Sequence, residues 1–114
     1  MQFMVYLTSR EGEPKAPPSP EGMIEMSRLM TETIESGMVV ATGQLGKKSM
    51  RLRLSAGEVS LTDGPFIEGK ELVPGFTIIR VDTKEEAIEW ASKLRRCMGD
   101  GELRITQVIT PSMD

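Results

Sequence analysis

Histidine is absent from the 114-residue chain, cysteine occurs once (Cys97), and the aromatics are three Phe, one Tyr and one Trp. Without histidine there is no imidazole base, no His metal ligand and no Ser-His-Asp triad. One cysteine and no histidine also exclude a structural zinc site. A lone thiol cannot close a disulfide within the chain, which fits a reducing compartment. Any catalysis therefore falls to carboxylates, Lys, Arg, Tyr, the thiol or main-chain groups. No apolar run reaches membrane-spanning length, and the opening Met-Gln-Phe-Met-Val-Tyr lacks a basic segment followed by an apolar one. A cytoplasmic protein with no membrane association is expected. Fourteen Lys and Arg against 17 Asp and Glu leave a net charge of −3, so bulk charge does not favour nucleic acid. Arg51, Arg53 and Arg80 have no aromatics interleaved among them, a weak nucleic-acid signal. The length suits one domain over residues 1–114 with a single core.

What is present is a clear alternation of periods. Residues 2–7 place Phe3, Val5 and Leu7 on one face and Met4 and Tyr6 on the other, a strand apolar on both sides. Gly12 and the prolines at 14, 17, 18 and 20 make residues 8–19 an exposed, mobile loop, neither helix nor central strand. Ser19-Pro20-Glu21 combines a cap, a first-turn proline and an acid at the positive end of the helix dipole. Met23, Met26, Met30 and Ile34 then form the expected buried stripe, and Gly37 the left-handed stop. Residues 38–42 read as a short buried strand. Residues 50–61 read as a hairpin, with Leu52 and Leu54 alternating with Arg51 and Arg53 and a turn at Ala56-Gly57. Phe76–Val81 reads as a central strand. Thr83-Lys-Glu-Glu86 has capping-box spacing, followed by Ala87, Trp90, Ala91 and Leu94 on one face. Gly99-Asp100-Gly101 breaks the chain before a last strand at 102–108.

Two strand–helix–strand halves with a hairpin between them predict a ferredoxin-like α+β sandwich, with both helices on one face of an antiparallel sheet. The second face would then carry Met4, Tyr6, Ile78 and Ile105. Monomers rarely leave such a patch in water, so a two-fold homodimer with sheets face to face is expected.

The run Asp63-Gly64-Pro65-Phe66, with Glu68, Lys70-Glu71 and Gly75-Phe76, resembles the signature of the DGPF group of YCII-related proteins. Ser19-Pro20-Glu21, the Glu86–Ala91 run and Glu102-Leu103-Arg104 fall in register with the same pattern. The resemblance implies a dimeric α+β barrel with a cleft near the signature loop. It further implies kinship with small enzymes acting on aromatic or lactone compounds, or with accessory partners of extracytoplasmic-function sigma factors. Some relatives carry a His–Asp pair, which a histidine-free chain cannot reproduce. Lys93-Leu94-Arg95-Arg96 also stands where a proline is common in the family.

Within this block, Asp63 is either a cleft carboxylate acting as a base or an Asx-turn cap ahead of Gly64-Pro65. Phe66, Glu68, Lys70 and Glu71 are candidate ligand contacts, and the three charged ones equally read as a solvated loop. Glu102 and Arg104 are expected on one face of the last strand. Arg104 would bind a carboxylate there or enter a cross-subunit salt bridge. Tyr6 would offer its hydroxyl to a ligand or bury it, satisfied. No metal site and no cofactor are expected. The expected function is to bind a small polar or anionic molecule, with carboxylate-driven proton abstraction or elimination as the chemistry open to it. A non-catalytic regulatory module is the alternative.

Overall fold

A computed structural model describes residues 1–10, 18–46, 49–63, 71–72 and 75–111. The chain runs β1 (Gln2–Tyr6), β2 (Ser9–Arg10), α1 (Pro20–Glu35), β3 (Val39–Gln44), β4 (Met50–Ser55) and β5 (Glu58–Asp63). It continues through β6 (Glu71–Leu72), β7 (Gly75–Arg80), α2 (Lys84–Met98) and β8 (Arg104–Val108). Four strands form an antiparallel sheet in the order β3-β7-β1-β8. Both helices cover one face of it, giving the α+β, ferredoxin-like arrangement that the alternating periods predict.

The core lies between that face and the helices. Phe3 and Val5 of β1, Ile79 of β7 and Val81 meet Ala87, Trp90, Ala91 and Leu94 of α2, with Met26, Leu29 and Met30 of α1 packed at the side. Val5 and Ile79 lose nearly all contact with water, which contributes about 1.5–3 kcal/mol for each such side chain. Two short side chains start the helices. The Ser19 hydroxyl accepts from the Gly22 N–H at 3.0 Å, and the Thr83 hydroxyl accepts from the Glu86 N–H at 3.2 Å. The Glu86 carboxylate accepts in return from the Asp82 N–H at 3.2 Å, one residue outside the standard box.

Besides residues 38–42, expected as a buried strand but largely exposed in the edge strand β3, four expectations need correction. In α1 the inward positions are Gly22, Met26, Leu29, Met30 and Thr33, while Met23 and Ile34 are exposed. The helix is rotated because Gly22 lies against the end of α2, where a Cβ would overlap the Cys97 carbonyl. Thr33 also turns inward, to accept the Trp90 indole N–H at 2.9 Å. Secondly, Ser9–Arg10, expected as loop, is a short strand paired with Glu71–Leu72. Thirdly, β8 begins at Arg104 and is an edge strand, so Glu102 precedes it. Fourthly, Ile105 pairs opposite Val5 and therefore faces the helices, not the open side. That open side carries Met4, Tyr6, Phe76 and Ile78, all partly uncovered.

The hairpin forms as expected and extends to Asp63. Its two-residue turn uses Ala56 (φ 51°) and Gly57 (φ 80°), both left-handed as a tight hairpin turn demands. Among the described residues, β4 and β5 pack chiefly on each other and stand away from the sheet.

Candidate functional site

The end of β1 is tied to the start of β7 by the Leu7 N–H, which donates to the Gly75 carbonyl at 2.9 Å. This tie marks where the chain returns to the sheet after the signature segment. Beside it, α1, α2 and the sheet border a cleft of about 530 Å³. Met23, Met26 and Met30 reach it from α1, and Leu94 and Met98 from α2. Val5 and Leu7 complete the apolar wall from the sheet side. These positions follow from local pattern: residues 23, 26 and 30 lie along one side of a helix, and the outward rotation of Met23 puts it at the rim.

The polar groups on the wall are few. Thr42 donates to the Phe76 carbonyl at 3.1 Å and lies 3.0 Å from the Thr77 hydroxyl, so the two threonines share one hydrogen bond. Gln44 and Ser27 add an amide and a hydroxyl. No charged side chain lines this cleft among the described residues. It can hold an apolar body by contact, orient one hydroxyl through the acceptor oxygens of the Thr42–Thr77 pair and one carbonyl through the Gln44 amide. Flexible methionine side chains let the wall adapt to the shape of what enters.

The candidate residues read from the sequence separate into three groups. Tyr6 and Arg104 lie opposite one another on the open face of the sheet and are not part of the cleft wall. The Tyr6 hydroxyl is 3.1 Å from the Thr106 hydroxyl. Arg104 Nε lies 3.7 Å from Glu102 Oε2 of the same chain, an exposed ion pair of small energetic weight. Asp63 is exposed at the base of the hairpin, paired across it with Met50. Phe66, Glu68 and Lys70 lie outside the described residues, and only the backbone of Glu71 is described, in β6. The methionine and threonine positions of the cleft carried no functional signal in the sequence. Methionines at helical spacing read as core filler, and nothing local reveals that Thr42 and Thr77 are brought together across two strands.

A second, shallower groove of about 800 Å³ lies where α2 turns into β8. Its one fully engaged cation is Arg95, whose guanidinium donates to the carbonyls of Gly99 at 2.8 Å, Glu102 at 3.2 Å and Asp100 at 3.3 Å. These bonds close the C-terminal end of α2 and give Arg95 a structural task. Among the described residues, no helix is long and apolar enough to cross a membrane.

The family model of the YCII-related domain matches residues 1–110. An uncharacterized protein of Rhizobium meliloti (strain 1021) is 34% identical over 74 residues, which is 63% of this chain and 60% of that protein's length.

Proposed function

This chain belongs to the YCII-related domain family, and on that premise we propose that it is a homodimer binding a small organic molecule in the cleft between α1 and the sheet. The carrying observation is the lining of that cleft: methionine and leucine walls around a single threonine hydroxyl pair. A volume of about 530 Å³ falls within the range of roughly 300–1,000 Å³ common for small-molecule sites. Such a lining selects a molecule with an apolar body and a polar end, and an aromatic or lactone ring fits both requirements. The signature segment, which carries Asp63, Lys70 and Glu71, leads in sequence into Gly75 on the cleft wall. In this reading it supplies the charged groups at the polar end: a carboxylate to take a proton next to a carbonyl, and Lys70 to steady the resulting enolate. The partly uncovered apolar residues on the open sheet face, Met4, Phe76 and Ile78, support a second copy as their cover.

A thermal-shift panel of monocyclic phenols, lactones and short carboxylic acids tests the binding. A phenol or lactone at 100 times its Kd stabilises by about 2.7 kcal/mol and raises Tm by roughly 10 °C for a chain of this size. Ser27 lines the cleft from an exposed position on α1. Ser27→Phe is therefore expected to abolish the shift while leaving the Tm of the ligand-free protein close to wild type. A panel without any shift, or a shift that survives Ser27→Phe, refutes the assignment.

A further inference from the structure

Among the described residues, the hairpin is a surface that neither the core nor the cleft uses. Its pairing puts Met50, Leu52 and Leu54 of β4 on the same face as Val59 and Leu61 of β5. All five are between 61% and 70% exposed. The opposite face carries Arg51, Arg53, Ser55, Glu58, Ser60 and Thr62, so the hairpin is sharply two-sided. An isolated two-stranded hairpin is marginal in water, and one with a bare apolar face is an aggregation hazard. The chain's radius of gyration is 17.1 Å, against roughly 13 Å for a compact domain of this length, which agrees with an element held away from the body.

We propose that the hairpin Met50–Asp63 is a dimer arm that seats its apolar face on a second copy of this chain, along the open face of that copy's sheet. The inference rests on the homodimer reading above and adds the element that holds the dimer together. Two considerations commit the occupant. A Leu- or Met-sized side chain removes on the order of 100 Å² of apolar surface when buried, so an arm with five such chains about two-thirds exposed offers roughly 300 Å². In a two-fold dimer each copy buries its own arm and the patch under the other arm; on the same scale Met4, Phe76 and Ile78, each at most about one-third exposed, add roughly 100 Å², for about 400 Å² of apolar surface per copy. A standard interface buries about 800 Å² per partner, a little over half of it apolar. The arm and this patch together approach that level. Secondly, a marginal hairpin needs permanent cover, which an identical chain supplies at all times. The chain also carries the complementary flat apolar surface itself, in Met4, Phe76 and Ile78. Packing a two-stranded ribbon on a sheet is ordinary sheet-on-sheet geometry, and it leaves Arg51, Arg53 and Glu58 facing water.

Sedimentation and light scattering on the full chain provide the first test. Wild type is expected as a dimer, and Leu52→Ser/Leu61→Ser is expected to raise the dimer dissociation constant about 100-fold or more. Ser60→Lys, on the opposite face, is expected to leave it within about threefold. Neither set of positions belongs to the core of one copy, so circular dichroism of the variants should match wild type. In a mixed sample of isotope-labelled and unlabelled chains, filtered NOEs should connect the Leu52, Leu54 and Leu61 methyls of one copy to Met4 or Ile78 of the other. A wild-type monomer overturns both the homodimer reading and the arm. A dimer whose dissociation constant ignores the leucine substitutions, or that lacks these NOEs, overturns the arm alone.

Discussion

Thr33→Val tests the packing of α1 against α2 at a single atom. The Thr33 hydroxyl accepts the Trp90 indole N–H at 2.9 Å and donates to the Leu29 carbonyl at 2.6 Å. Both residues are 5% exposed. Valine keeps nearly the same shape, so little cavity forms. The Leu29 carbonyl retains its helical partner, the Thr33 N–H. The indole N–H, by contrast, is left buried with no acceptor, at a cost of about 1–3 kcal/mol. With a urea m-value of about 2 kcal/mol/M for a chain of this size, the unfolding midpoint followed by far-UV circular dichroism should fall by about 1 M for a cost near 2 kcal/mol. Thr33→Ser keeps the acceptor and should lose much less. In the double variant Thr33→Val/Trp90→Phe no donor remains stranded, so its cost should undershoot the sum of the two single costs by about 1–3 kcal/mol. Protein concentration must be constant throughout, because association adds to apparent stability. A Thr33→Val variant within about 0.5 kcal/mol of wild type, or a strictly additive double variant, would refute the claim that this bond orients α1.

Three further outcomes follow from other contacts. Gly22→Ala should destabilise by about 1–3 kcal/mol despite alanine's better helix propensity, because its Cβ overlaps the Cys97 carbonyl; a raised Tm would show that the helices are not so close. Thr83→Ala removes the acceptor at the start of α2 and should cost about 0.5–2 kcal/mol, largely recovered in Thr83→Asp; equal melting of the alanine and aspartate variants would count against the cap. Arg95→Met should free the carbonyls of Gly99, Asp100 and Glu102, lowering stability by about 1 kcal/mol. The same change should accelerate amide exchange between residues 99 and 103, and unchanged exchange there would deny Arg95 its role.

Much of the fold was legible because it depends on local period and turn chemistry. The alternation in β1, the Ser19 and Thr83 caps, the stripe Ala87-Trp90-Ala91-Leu94 and the Ala56-Gly57 turn all came out where the pattern put them. The rotation of α1 was not legible, since its methionines satisfy more than one helical stripe. What chose between them was a close approach at Gly22 and one hydrogen bond to Trp90, both made with residues more than 50 positions away. Ile105 could be placed on either face of β8 until its register with Val5 was known. The candidate site divided in the same way. The sequence drew attention to charged residues of the 63–71 segment, because charge and turn formers stand out in a string of letters. The cleft itself is built from methionines and threonines that look ordinary one at a time.

Composition and local order therefore determined which chemistries are closed to this protein, with no imidazole and no thiol pair, and which segments are helix, strand and hairpin. These follow from side-chain inventory and from backbone preferences that act over a few residues. Tertiary structure decided which side of α1 faces inward, that Thr42 and Thr77 share one cleft wall, and that Tyr6 and Arg104 lie on the opposite side of the sheet from it. Each of those depends on strand register and on how closely two helices approach. Such quantities are set by packing between distant segments, and no local pattern encodes them.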